Sequence, residues 1–277
     1  MKKRLTLATL SNPRHREIVE LARQKGFLST EELARTFDVT SQTIRRDINE
    51  LAERGFLRRY HGGAGLPSSV ENVRYSERQS LYHDEKTRIA QMLAKQIPDN
   101  ASLFINIGTT TEEVAKALAE HKNLRIITNN LNVATQLCDN PSFEVIVAGG
   151  VVRPDHGVIG ESTVDFFRQF KVDIGIIGIS GIDDDGTLLD FDYREVRVAQ
   201  AIIENARQVF LATDHTKFNQ SPMVRLGHIS EVDAVFTDRQ PPENICSMLE
   251  TAQVRLFVAP SDAPPHKEET DEQPVDN

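Results

Sequence analysis

Gln42, Arg45, Arg46 and Asn49 stand within eight residues of one another, and each carries a side chain able to hydrogen-bond a base edge or a phosphate. Arginine can meet guanine through two parallel bonds, and glutamine or asparagine can do the same with adenine. That chemistry requires a shared surface. On a helical wheel with Ile44 at zero, Arg45 falls near ~100°, Asn49 near ~140°, Gln42 near ~160° and Arg46 near ~200°. Ile44, Ile48 and Leu51 gather between roughly −20° and 40° and define a buried side. Asp47, at about 300°, is turned away from the polar surface. One helix therefore presents a base-reading face opposite its core face, with Ser41 and Thr43 near its start as further contacts.

A second set of residues suits a small anion. Gly108-Thr109-Thr110-Thr111 opens a helical segment, where backbone N–H groups and threonine hydroxyls suit a phosphate. It is not a Walker A loop, because the lysine and the spacing are missing. Arg153 and Lys217 offer positive charge, while Asn129 and Asp214 can bind hydroxyls, and Gly149-Gly150 forms another glycine turn. A phosphorylated polyol has both needs. Asp183-Asp184-Asp185-Gly186 reads as a turn rather than a metal site.

The elements that must position these groups are legible around them. Residues 14–25 carry Ile18, Leu21 and Ala22 at helical spacing, with Gly26 as a stop. Ser29 with Glu32 forms a capping box for a short second helix, and Thr40 caps the third. Two short helices and a tight turn before the third fit a helix-turn-helix. Leu57-Arg58-Arg59-Tyr60-His61-Gly62-Gly63 then reads as a strand running into a glycine turn, a wing whose Arg58, Arg59 and His61 reach phosphates or an adjacent groove.

Residues 66–84 show no sustained periodicity and read as a linker. Beyond Glu85, apolar runs at 102–107, 124–128, 143–148, 173–179, 208–212, 233–237 and 254–258 alternate with helical patterns. Such alternation predicts a mostly parallel sheet with helices on both faces. In such sheets ligands bind beyond the carboxyl ends of the strands, where the residues of the second set fall. The expected organisation is a winged helix-turn-helix domain over 1–65, the linker, an α/β effector and oligomerisation domain over 85–260, and a disordered acidic tail over 261–277.

Composition sharpens the split. The net charge is −9, which taken alone argues against nucleic acid. Residues 1–65, however, hold 13 basic and 8 acidic residues, a net of +5. The tail alone carries −5. The apolar run after Lys2-Lys3-Arg4 is too short for a signal peptide, and the longest apolar runs fall short of the ~18 residues that cross a bilayer. A cytoplasmic protein without membrane association is the expectation. Cys138 and Cys246 are too few for a disulfide framework and read as buried free thiols. No cofactor or metal is called for.

Thr43-Ile44-Arg45-Arg46-Asp47-Ile48 and Arg59-Tyr60-His61-Gly62-Gly63-Ala64 closely resemble the DeoR family of bacterial transcriptional regulators. The resemblance extends through Gly108-Thr109-Thr110, Thr128-Asn129-Asn130, Gly149-Gly150 with Arg153, and Asp214 with Lys217-Phe218. It implies an effector domain similar in fold to sugar-phosphate isomerases, a phosphorylated metabolite as inducer, and a homo-oligomer, dimer or tetramer, on double-stranded operator DNA. Gln42–Asp47, Leu66–Ser69, Leu189–Tyr193, Ile202–Asn205 and Thr213–Phe218 look closer to one member, implying glycerol 3-phosphate as inducer and glycerol catabolic genes as targets. Asn106 stands where the family often has an acidic residue. The rival reading is a sugar-phosphate isomerase or deaminase, with Asp183, Asp185, Glu195, Asp214 and His215 as acids and bases.

Overall fold

The computed structural model describes residues 10–25, 27–60, 62–68, 74–218 and 220–260. His61, Gly26 and the acidic tail, on which sequence expectations fell, lie outside the described residues.

The first unit runs α1 (Pro13–Lys25), β1 (Phe27–Ser29), α2 (Thr30–Thr36), α3 (Ser41–Glu53), β2 (Arg58–Tyr60) and β3 (Gly63–Gly65). The caps act as the sequence requires. Ser29 Oγ accepts from the Glu32 amide at 3.0 Å, and Thr40 Oγ1 from the Thr43 amide at 3.2 Å. Ile44, Ile48 and Leu51 bury one face of α3 against Ile18, Val19, Ala22 and Leu33. The wing strands β2 and β3 pair antiparallel, and β1, a strand the sequence did not announce, adds to β3.

Asp47 locks α3 to α1. The Arg14 guanidinium forks onto its carboxylate at 2.6 and 3.0 Å, and His15 Nε2 lies 3.0 Å from Oδ1. Burial works to raise the Asp47 carboxyl, but Arg14 and His15 overcome it and hold it below the usual carboxylate range.

Two further helices follow, α4 (Tyr75–Ser80) and α5 (His83–Ala94). The segment expected as a plain linker over 66–84 is thus partly helical, a correction. Only six residues long, α4 is too short to show a period. Tyr82, in the left-handed region at φ 55°, turns the chain between the two helices.

The second unit holds β4 (Ser102–Ile105), α6 (Thr109–Ala117), β5 (Arg125–Thr128), α7 (Leu131–Leu137), β6 (Glu144–Val147), β7 (Val151–Val152), β8 (Val158–Ile159), α8 (Glu161–Phe167), β9 (Val172–Ile177), β10 (Gly181–Ile182), β11 (Thr187–Asp190), α9 (Tyr193–Asn205), β12 (Ala206–Ala212), β13 (Val224–His228), β14 (Ala234–Thr237), α10 (Glu243–Thr251) and β15 (Arg255–Val258). Seven of these strands form a sheet in the order β15-β14-β12-β9-β4-β5-β6, parallel throughout. All seven coincide with the apolar runs of the sequence. Successive side chains go to opposite faces: Phe104 packs in one core, Leu103 and Ile105 in the other. A second, small sheet, β10-β11-β13, is antiparallel.

Strand order fixes where a ligand can enter. From β4 the chain first moves outward to β5 and β6, then returns to place β9 on the other side of β4. The loops after β4 and β9 diverge, and a crevice opens between them.

Truncating the charge lock should uncouple the helices of the first unit. Asp47→Ala is expected to cost about 3 kcal/mol of stability, because it strands a partly buried Arg14 and a buried His15. Urea denaturation measures this. Since the Asp47 carboxyl is held low in the folded state, its contribution is complete at neutral pH and is lost as pH falls through that lowered value.

Candidate functional site

At the crevice between β4 and β9 lies a cavity of about 90 Å³. Its floor comes from three strand ends. Ile107, Gly108, Thr109 and Thr110 follow β4, Gly178, Ile179 and Ser180 follow β9, and Asp214, Thr216 and Lys217 follow β12. Gly108, at φ 154°, makes the turn that aims the first amides of α6 into this space. Thr111 Oγ1 lies 2.9 Å from the Asn106 carbonyl and 2.8 Å from that of Gly108, which stiffens the turn. Asn106 Oδ1 accepts from the Gly178 amide at 3.0 Å and so ties the two diverging loops together. An amide does this without the charge an acid would bring.

The walls come from the segment between the units. Arg78, Leu81, Tyr82 and Lys86 line the cavity, and Arg58, Arg59 and Leu57 of the first unit close its far side. Lys86 is buried, and its ammonium donates to the carbonyls of Arg78 and Leu81. Burial lowers its pKa to about 8. Lys217 is lowered for the same reason, with Asp214 opposing the shift. Burial works to raise Asp214, but Lys217 and Lys86 overcome it and hold it low. Across the cavity, burial and the nearby Asp190 carboxyl push Glu195 up to about 8. Asp190 is itself raised by burial and accepts from Ser180 Oγ at 3.1 Å. An incoming anion would relieve the two lysines, while Asp190 and Glu195 would meet it best in their protonated, hydrogen-bond-donating form.

The cavity divides the sequence expectations. It brings together Gly108, Thr109, Thr110, Asp214 and Lys217. It does not include Thr111, Asn129, Gly149, Gly150 or Arg153. Asn129 and Gly149-Gly150 follow β5 and β6, on the far side of the strand-order reversal. Asn129 is buried and donates to the Val158 carbonyl at 2.9 Å. Gly149 accepts from Thr163 Oγ1 at 2.9 Å. Arg153 lies beside the cavity, bound to Glu195 at 2.8 Å, Asp192 at 3.1 Å and Asp155 at 3.1 Å. It holds a cavity wall rather than facing the space. Cys138 is exposed and Cys246 half-buried, so neither is the fully buried thiol expected.

Sequence reasoning missed Arg78, Tyr82 and Lys86. Lys86 left one readable signal. It falls three residues before Ile89, on the same stripe as Ile89 and Leu93, where a lysine has no solvent to reach.

The other surface is the start of α3. Gln42, Arg45 and Arg46 are exposed, and Ser41 and Thr43 half-exposed. Asn49, one turn on, instead accepts from Arg59 Nη1 at 3.2 Å. Arg59 also lies over the Tyr82 ring, 5.8 Å from its centre. Arg58 is 7% exposed, so the expectation that it meets DNA is corrected: its side chain points into the junction between the units. Arg239 binds Glu53 at 2.9 Å and pins the end of α3 to the second unit.

Of the acids and bases weighed for an enzyme, Asp183 and Asp185 sit in the β10–β11 turn, away from the cavity. His215 is held by Asp238 at 2.6 Å. Among the described residues, no group of three or more His, Cys, Asp or Glu could hold a metal ion, and no helix is long and apolar enough to cross a membrane.

A family model described as a DeoR-like helix-turn-helix domain matches residues 14–70, and one described as a DeoR C terminal sensor domain matches residues 82–239. The chain is 54% identical to the glycerol-3-phosphate regulon repressor of Escherichia coli strain K12 over 88% of its own length and 97% of that protein. It is 53% identical to the glycerol-3-phosphate regulon repressor of Haemophilus influenzae, over 88% of this chain and 96% of that one. A ribose 5-phosphate isomerase from Methanocaldococcus jannaschii aligns at a TM-score of 0.37 and 14% identity, covering 50% of this chain and 55% of that one, too slight a likeness to build on.

The place of Arg153 among carboxylates generates its own expectation. Arg153→Ala should cost about 3–5 kcal/mol, by leaving acids in the cavity wall without their cation. Thermal unfolding reads this, at roughly 2–4 °C per kcal/mol.

Proposed function

Because the chain belongs to the DeoR family of transcriptional regulators, with its helix-turn-helix and sensor domains, we propose that its sensor cavity binds glycerol 3-phosphate and that this ligand releases the protein from operators of glycerol catabolic genes. The protein is a DNA-binding repressor rather than an enzyme: its relatives at 53–54% identity are named repressors.

One observation carries the choice of ligand class. The cavity joins a helix N-terminus to Lys86, Lys217 and Arg78 in about 90 Å³ of space. At ~10–15 Å³ per water-sized body, that is room for roughly six to nine of them, the scale of a three-carbon phosphate monoester. Thr109, Thr110 and the α6 amides suit the phosphate, and Asp214 and Ser180 suit hydroxyls. The identity to two glycerol-3-phosphate regulon repressors supports the specific ligand.

Gln42, Arg45 and Arg46 read the major groove, and Ser41 and Thr43 contact the backbone near the helix start. One such helix covers only a few base pairs, so a homo-oligomer on repeated half-sites follows, in the cytoplasm where the DNA is.

Two measurements test this. Arg45→Ala and Arg46→Ala are each expected to weaken operator binding by about 1–3 kcal/mol. Binding in a mobility-shift titration at wild-type strength would remove them from the interface. For the ligand, glycerol 3-phosphate affinity measured by calorimetry should fall as pH rises through about 8, the decline beginning between pH 7 and 8. The sign follows from the free-state values: above about 8 Lys86 loses the proton the phosphate needs, and Glu195 gains a negative charge. Lys217→Ala should raise the ligand concentration needed for release at least tenfold. Millimolar ligand without effect on the wild-type complex would reject the inducer.

A further inference from the structure

Asn49 and Arg59 are two groups that the sequence assigns to DNA, and in the structure they are engaged with each other. Arg59 Nη1 donates to Asn49 Oδ1 at 3.2 Å. Asparagine reads adenine by accepting from its N6 amino group at Oδ1 while Nδ2 donates to N7. The oxygen that this reading uses already accepts from the arginine. Arg59 itself, which a wing would offer to a DNA phosphate, is turned across the junction instead, with its guanidinium 5.8 Å from the centre of the Tyr82 ring.

Tyr82 is where the junction meets the ligand cavity. It lines that cavity, and it also lines a groove together with Asn49, Glu53, Arg59 and Arg239. Its backbone lies in the left-handed region, at φ 55°, which a bulky residue keeps only where its surroundings hold it. Its ring meets the Arg59 guanidinium and, edge-on, the His215 ring at 5.1 Å. His215 is fixed in turn by Asp238 at 2.6 Å and stands between Asp214 and Thr216, both in the cavity.

We propose that Arg59 changes partners between the two forms of the repressor. In the released form it holds Asn49 and lies over Tyr82, as in this structure. On the operator it lets go of both, moves to a backbone phosphate, and frees Asn49 for a base edge. The proposal rests on the reading of the cavity as the effector site. A ligand there packs against Tyr82 in its present position, and so favours the form in which the arginine stays engaged. Ligand and operator then compete for one side chain, which gives the coupling between the two sites a physical carrier.

The test uses the full-length protein with Arg59→Ala, and with Arg59→Lys, which keeps the charge but loses the fork. Operator affinity is measured by mobility shift against salt concentration, without ligand and with saturating glycerol 3-phosphate. Arg59→Ala is expected to do two things at once. The slope of log affinity against log salt falls by about one, the signature of a lost phosphate contact. The factor by which the ligand weakens operator binding shrinks about threefold or more, because the group it held back is gone. Arg59→Lys is expected to keep the wild-type slope and lose part of that factor. An unchanged salt slope in Arg59→Ala leaves Arg59 without a DNA contact and overturns the proposal. So does a ligand factor that shrinks less than about threefold, which makes Arg59 a DNA contact and nothing more. Should Arg59→Ala fail to fold, a ligand factor at the wild-type value in Arg59→Lys overturns the proposal. A wild-type complex that glycerol 3-phosphate does not weaken removes the cavity reading, and the proposal with it. A weakening that Arg59→Ala retains in full overturns the proposal alone.

Discussion

Charge held out of water at the meeting of two domains is the constraint around which this molecule is arranged. Arg58, Arg78, Lys86 and Lys217 line one small space together with Asp190, Glu195 and Asp214. Inside that space neither sign is comfortable. The lysines are pushed toward losing a proton, and Glu195 and Asp190 toward gaining one. Such groups persist only where the surrounding fold positions them firmly. Here the positioning comes from the parallel sheet, whose strand-order reversal between β4 and β9 opens the crevice, and from Asn106, which ties its two lips.

The same constraint explains how an acidic chain recognises two anions. The net charge of −9 is a property of the whole surface and acts at long range, where salt screens it. Recognition acts at contact distance. On α3 the arginines are sorted onto one exposed side, while Asp47, in the same turn, is folded under and neutralised by Arg14. In the cavity the positive charge comes from burial of a few named side chains and from helix amides. Both devices place cations locally against the average.

Much of this was legible in the sequence, and what was not has physical causes. The inner strands of the sheet announced themselves because burial on both faces demands continuous apolar runs, as at 102–107 and 173–179, and the half-exposed edge strands β6 and β15 share the apolar pattern. The recognition helix was legible from the 3.6-residue period of Ile44, Ile48 and Leu51. The strands β7, β8 and β10 have only two residues each, and no period can be read from two. Gly108, Thr109, Thr110, Asp214 and Lys217, which line the cavity, stand out in the sequence because glycine turns and strand ends follow local rules. Which of several such loops share one cavity is not a local matter. Asn129 and Gly149-Gly150 look as suitable as Gly108 until strand order puts them beyond the reversal. Arg58 looked like a wing arginine because the sequence reports that β2 alternates but not which side meets residues 190–220.

A ligand that releases a repressor must bind the released form better than the DNA-bound form, or it shifts nothing. A cavity enclosed by the sensor domain alone would have to transmit that difference through the packed core. This cavity has no such distance to cross. One of its walls is Arg58, Arg59 and Leu57, in the strand that follows the recognition helix, and the end of that helix is itself tied down by Glu53 to Arg239. A rotation of the wing on the sheet would therefore change the cavity. Tyr82, in its left-handed turn between α4 and α5, lies under the Arg59 guanidinium and so touches the wing strand as well. Residues of the wing strand and of the sensor domain share this one cavity, so a contact made there is a contact with both units.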